Sequence, residues 1–267
     1  MKHLIINLKE HYDLEGGELT VYVMDTPFDQ AVPFKRPGII VVPGGGYEYV
    51  SKREAEPIAI DYMHYGFQAF VLKYKCEGTV YPEHLKELAC AIDYIKKHSE
   101  EFNVDKDNMF GVGFSAGGHL LASVATNASI TEKYAPGLDF KLNAITLSYP
   151  VINAYAGHDW SINELLKKFK TKELLDEASV DLNVTHESTP AYIWATRTDE
   201  SVPIKNSILY YKALKKAKVK TKLTIFPYGP HGLSNAQKEL NPTQPNYPKC
   251  CESWMKKSVK FMKTFLK

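Results

Sequence analysis

The run Gly113-Phe114-Ser115-Ala116-Gly117-Gly118 sets a hydroxyl between small residues, two positions before it and two after it. That spacing lets the chain turn sharply and push the serine clear of the backbone, because glycine permits a close approach that a side chain forbids. A serine hydroxyl is a weak nucleophile until a histidine takes its proton. The imidazole in turn needs a carboxylate to fix its tautomer and stabilise its cation. Downstream, Asp199 follows the apolar run Tyr192 to Thr196, and His231 follows a run that ends at Phe226. Ser115, Asp199 and His231 are therefore the expected nucleophile, acid and base of an acyl transfer. Glu200 is the rival acid and ranks second.

Acyl transfer also needs donors for the oxyanion that forms on the attacked carbonyl. Pro43-Gly44-Gly45-Gly46-Tyr47 follows an earlier apolar run, and its backbone can approach a substrate without side chains intervening. The amides of Gly45 and Gly46, with that of Ala116 just after the serine, are the expected oxyanion donors. A phosphate-binding loop is excluded here by the lack of a GxxxxGK[ST] or GxGxxG pattern. Tyr47 and Trp160 are the expected substrate contacts. Of the remaining histidines, His3, His11, His64, His84 and His98 lie on early elements or their flanks. His119 sits on the helix after the serine, where it packs rather than catalyses, and His158 and His186 fall in a later insertion.

These residues must be delivered by an alternation of short β-rich runs and longer segments of helical period, the pattern of an α/β sheet covered on both faces. Leu4 to Leu8 and Leu19 to Val23 read as an antiparallel opening pair with a turn at Gly16-Gly17. Gly38 to Val42, Ala69 to Leu72, Met109 to Phe114, Ala144 to Tyr149, Tyr192 to Thr196 and Lys222 to Phe226 read as further strands, giving a mostly parallel eight-stranded sheet. Helices are expected at Glu54 to Tyr65, Leu85 to His98, from Ala116, at Lys205 to Lys216 and at Glu252 to Phe265. One domain is expected over 1–267, with a small lid insertion at about 151–190 that carries an amphipathic segment, Ile162 to Leu175, and shapes the substrate pocket. Asn241 to Pro248 is expected to be an extended loop.

The 33 basic and 31 acidic residues nearly cancel, to a formal charge of +2, which argues against a nucleic-acid or membrane-surface partner. The lysines around Lys167 to Lys172 and those near the C-terminus keep apolar residues at helical spacing, as solvated helix faces do. Cys76, Cys90, Cys250 and Cys251 form no CxxC pair and have no histidines at zinc-binding spacing, so no metal is expected. The apolar run after Lys2 is too short for a signal-peptide core, and a cytoplasmic location is expected.

Taken together, Pro43 to Tyr47, the run Arg53-Glu54-Ala55-Glu56-Pro57-Ile58-Ala59, the segment Gly113 to His119 and the Asp199/His231 pair resemble small bacterial α/β-hydrolase esterases. The likeness is to the acetyl xylan and feruloyl esterase-like branch, related to the hormone-sensitive-lipase group. It implies the α/β-hydrolase fold, with Ser115, Asp199 and His231 in its chain order. It also implies deacylation of small esters, including acetylated sugars and xylan fragments, without a cofactor, and leaves room for a homodimer. One departure is Pro43, where the hormone-sensitive-lipase group has a histidine, which leaves the bracing of the glycine loop open. The same triad also serves peptidases and aryl formamidases, and a catalytically silent binding protein on this fold is a third alternative.

Overall fold

The computed structural model describes residues 1–25, 34–243 and 248–267; of the expected loop at Asn241 to Pro248, residues 244–247 lie outside the described residues. The apolar runs pair into one eight-stranded sheet of order β1-β2-β4-β3-β5-β6-β7-β8. Its strands are β1 (Lys2–Asn7), β2 (Glu18–Val23), β3 (Arg36–Val42), β4 (Gln68–Lys73), β5 (Val104–Phe114), β6 (Ala144–Ser148), β7 (Ala191–Thr196) and β8 (Thr221–Phe226). β1 and β2 run antiparallel, and every pairing from β4 to β8 is parallel.

The parallel strands are buried on both faces, which is why they read as unbroken apolar runs. Ile40, Val42, Phe70, Leu72, Ile145 and Leu147 point to one face. There α2 (Glu83–Lys97), α3 (Ser115–Thr126) and α7 (Lys205–Lys216) cover them. Ile39, Val41, Ala69, Val112 and Trp194 point to the other, under α1 (Glu56–His64) and α8 (Trp254–Met262). Because all the parallel strands point one way, their C-terminal ends and the loops that leave them gather on one edge, where such sheets bind ligands.

Three expected elements differ in detail. β5 begins at Val104 rather than Met109, with a register shift against Pro37/Gly38 that hides its first residues from a simple apolar reading. The last helix is shorter, with 3-10 turns at Lys249–Ser253 and Lys263–Phe265 on either side of α8. The amphipathic segment Ile162 to Leu175 is not one helix but two, α5 (Asp159–Leu166) and α6 (Lys172–Ala178). Lys167 turns into the left-handed region at φ 49° and stops α5, and the Thr171 hydroxyl caps the restart by accepting from the Leu174 amide. A short helix α4 (Ala128–Tyr134) follows α3.

The stretch that holds α5 and α6 is fastened to the body of the molecule. Ile162, Leu165, Leu166, Ala178 and Val180 join the main core, and the Val180 amide donates to the Ile152 carbonyl at 2.9 Å.

Candidate active site

Strand β5 ends at Phe114, and Ser115 follows at φ 50°, a strained conformation for a residue with a side chain. The turn closes only because Gly117 lacks a Cβ: one placed there would stand 2.1 Å from the Pro43 carbonyl oxygen. α3 therefore starts directly under the serine, and the leading amides of a helix have no acceptor of their own, Ala116's among them. The Ser115 hydroxyl donates to His231 Nε2 at 2.8 Å, and His231 Nδ1 donates to Asp199 Oδ2 at 2.7 Å. Asp199 Oδ1 accepts from the amides of Ser201 and Val202, both at 2.9 Å. The Asp199 side chain is 1% exposed and that of His231 21%, so the acid is sealed in and the base reaches the surface. Glu200, the rival acid, is exposed.

An aromatic column carries the histidine from below. Its ring meets Tyr149 edge-on at 4.9 Å between centroids, Tyr149 meets Trp194 at 5.0 Å, and Trp194 stacks on Trp254 of α8 at 5.2 Å. Such pairs add to stability beyond the area they bury and hold ring orientation.

The glycine loop after β3 is braced by residues for which the sequence suggested no role. Gly44 donates its amide to Glu54 Oε2 at 2.9 Å, so it is spent on the brace, while Glu54 Oε1 accepts from the Tyr149 hydroxyl at 2.7 Å. Tyr149 then accepts from the Ser234 amide at 2.8 Å, and the Ser234 hydroxyl donates to the Arg53 carbonyl. Burial, and then the neighbouring Glu54 carboxylate, hold the Tyr149 phenol well above its ordinary value, which keeps its proton on the bond to Glu54. Arg53 Nη2 donates to the carbonyl of Gly232, next to His231, at 2.9 Å. One chain of hydrogen bonds thus joins the glycine loop, the end of β6 and the His231 loop. The position that a histidine holds in the hormone-sensitive-lipase pattern is Pro43 here, and its carbonyl accepts from the buried Tyr74 hydroxyl at 3.0 Å.

With Gly44 occupied, the amides of Gly45 and Gly46 make no hydrogen bond among the described residues. Gly45 adopts φ 126° and Gly46 φ 68°. Trp160 at the start of α5 lays its ring on Gly46, where a Cβ would stand 2.5 Å from the indole. Trp160 is 47% exposed, so it forms a wall beside the glycine loop.

Tyr47, expected to touch substrate, does not reach the cleft. At φ 67° its backbone turns the side chain inward, leaving it 1% exposed beneath the loop. Its hydroxyl donates to His119 Nδ1 at 2.7 Å, and His119 Nε2 donates to the Ala178 carbonyl at 2.7 Å. Burial pushes His119 down to about 4, so it stays neutral and can accept from Tyr47. His158 precedes α5: its Nδ1 donates to the Ser201 carbonyl at 2.6 Å and its Nε2 accepts from the Ser161 hydroxyl at 2.9 Å. Among the described residues, no group of three or more His, Cys, Asp and Glu side chains could hold a metal ion, and no helix is long and apolar enough to cross a membrane.

The chain is 33% identical over 215 residues to endo-1,4-beta-xylanase B of Butyrivibrio fibrisolvens, covering 77% of this chain and 34% of that protein. It is 29% identical over 201 residues to the acetylxylan esterase of Xylanibacter ruminicola, covering 73% and 40% respectively. The chain thus spans between a third and two fifths of the length of these curated relatives. Among solved structures, a carboxylesterase of Lactobacillus plantarum superposes with a TM-score of 0.88 at 30% identity, covering 99% of this chain and 98% of that one. An acetyl ester-xyloside bifunctional hydrolase of Caldicellulosiruptor lactoaceticus gives 0.82 at 29%, with coverages of 98% and 96%. The sheet is that of an α/β-hydrolase. The BD-FAE family model matches residues 24–214, so the chain belongs to the BD-FAE family.

Proposed function

We propose that the chain is a carboxylic ester hydrolase that removes acetyl groups from carbohydrates of the xylan-fragment type through an acyl-enzyme on Ser115. The observation that carries the reading is the unbroken relay from Ser115 to His231 to Asp199, with bonds of 2.8 and 2.7 Å. In the first step His231 takes the serine proton at Nε2 while Oγ bonds to the ester carbonyl carbon. The electron pair displaced onto the carbonyl oxygen rests on the amides of Gly45, Gly46 and Ala116. Collapse breaks the bond to the sugar oxygen, which leaves with the proton that His231 carries. Water, deprotonated by the same histidine, then releases acetate and restores Ser115. Asp199, buried and holding Nδ1–H, stabilises the imidazolium in both steps.

The substrate class is supported by the acetylxylan esterase and the acetyl ester-xyloside hydrolase among the similar proteins. It is also supported by Trp160, whose ring beside Gly46 narrows the space for the acyl group and favours a short one. The test is acetate release from acetylated xylo-oligosaccharides, run beside p-nitrophenyl acetate, butyrate and octanoate, for wild type and Ser115→Ala. Serine-dependent deacetylation of the sugars is expected. Turnover of p-nitrophenyl esters alone would leave ester hydrolysis standing and overturn the carbohydrate assignment.

A further inference from the structure

A cleft of about 970 Å³ is lined in part by Glu48, Tyr49 and Val50, the segment that follows the glycine loop, and its lining includes none of Ser115, Asp199 or His231. Its volume is at the upper end of the range for small-molecule sites. The floor is one face of two strands, Glu18, Thr20 and Tyr22 of β2 beside Val71 and Lys73 of β4, residues that alternate along each strand, with Glu18 paired to Lys73 and Thr20 to Val71. The wall is the segment Glu48 to Val50 with Ala55 and Glu56 at the start of α1, and the mouth lies at the strand ends, among Asn7, Gly16 and Lys75. β2 starts where β4 ends, so this mouth opens on the same sheet edge that carries Ser115. In the strand order β2-β4-β3-β5, β4 stands two strands from the nucleophile's strand and β2 three, roughly 10 to 15 Å away at the usual strand spacing.

The cleft and the reaction centre share a partition. The Gly45 carbonyl accepts from the amides of Glu48 and Tyr49, at 3.1 and 3.2 Å, so the cleft wall is built directly on the glycine loop. On the loop's other side, a Cβ on Gly44 would stand 3.0 Å from that of Ser115. A ligand lying in the cleft can therefore cross one turn of backbone and present a substituent to the serine.

The lining also indicates what kind of ligand fits. Four lysines and four glutamates balance in sign, and Lys73 and Glu18 are already paired at 2.6 Å, so the site selects neither an anion nor a cation. Between these hydrogen-bonding groups lie apolar surfaces, the half-buried Val50 and the ring of Tyr49, which is 58% exposed, over the buried Tyr22, Val71 and Tyr74. A neutral ring with C–H faces and a rim of hydroxyls meets both demands. We infer that this cleft is a saccharide subsite that holds the sugar chain of the substrate while an acetyl group on a neighbouring residue reaches Ser115, with Tyr49 as its stacking platform. The inference deepens the carbohydrate ester reading above and rests on it.

Calorimetric titration of unacetylated xylotetraose into the intact protein tests the cleft without using the reaction. One-site binding is expected for wild type, weakened at least tenfold by Tyr49→Ala, which removes an exposed ring and leaves the backbone bonds to Gly45 in place. Thr20→Trp, which fills the floor, should weaken it by a similar factor; circular dichroism and the melting temperature establish that each variant is folded. With acetylated xylotetraose as substrate, both variants should raise KM and leave kcat within about twofold, whereas a merely structural fault would lower kcat. No binding to wild type, or the same affinity in both folded variants, overturns the subsite. Binding without acetate release from any acetylated xylo-oligosaccharide keeps the cleft and overturns the proposed function. Acetate release without xylotetraose binding does the reverse.

Discussion

The residues proposed to perform the chemistry and those that hold the glycine loop differ in how closely their types are prescribed. Ser115, Asp199 and His231 each answer a requirement that only one or two residue types can meet, and each follows the C-terminal end of a parallel strand. Glu54, Tyr149, Ser234 and Arg53 answer a requirement that many residue types could meet, a donor or acceptor at the right place. They come from three separate points of the chain, 53–54, 149 and 234. Chemistry is therefore written in motifs, and the geometry that makes it fast is written in a network assembled only by the fold.

Substitutions can test that division. Ser115→Ala removes the proposed nucleophile and should lower kcat on p-nitrophenyl acetate by on the order of 10⁴ or more, with little change in melting temperature, because the group removed is small. Glu54→Gln keeps the shape but puts an amide donor against either the Gly44 amide or the Tyr149 hydroxyl. A loss of about 10 to 10² in kcat is expected, with KM little changed, since one oxyanion donor alone is typically worth about 10² to 10³. If Glu54→Gln cost as much as Ser115→Ala, the division between chemistry and support would collapse; if it cost nothing, the brace would be irrelevant to rate. Trp160→Ala opens the wall on Gly46 and should raise the octanoate to acetate activity ratio severalfold, measured on the p-nitrophenyl esters.

The support region should also show itself in stability against pH. His84 and His119 are both pushed down to about 4 by burial. An unfolded chain binds their protons near 6.5, so unfolding takes up protons below that pH, and stability should fall steadily from pH 6.5 toward 4. Glu87, pushed up to about 8 by burial, works in the opposite sense: the native state keeps a proton that the unfolded chain gives up above about 4.5, so its contribution is lost as pH rises toward 8. Melting curves from pH 4.5 to 9 should thus bend down at both ends. Glu87→Gln should flatten the alkaline arm by a few degrees, where about 2 to 4 °C corresponds to 1 kcal/mol for a domain of this size.

Much of the fold could be read in advance because the parallel strands are buried on both faces and so appear as apolar runs cut by proline and glycine. The meeting of Ser115, His231 and Asp199 could be read because chain order and strand ends together leave few choices. The split of the segment Ile162 to Leu175 could not, since it depends on a lysine at φ 49° rather than on a glycine or proline. Tyr47 shows the same limit at a single residue. Its place beside three glycines suggested a substrate contact, but its positive φ turns the ring toward His119, and nothing local in the chain announces that direction. The run Arg53 to Ala59 carried the family likeness without revealing its reason, which lies ten residues back at Gly44 and across the sheet at Tyr149 and Gly232.

The short helix α5 touches two loops at once: through Trp160 it leans on the glycine loop, and through His158 it grips the Ser201 carbonyl in the turn that presents Asp199. It acts as a strut between the wall of the acyl site and the anchor of the acid. Acyl-chain preference and catalytic rate are therefore not independently adjustable through this helix. A substitution that shifts α5 to admit a larger acyl group also pulls on the carboxylate that orients the base, and variants selected for new substrates should carry a second change that resettles the Asp199 turn.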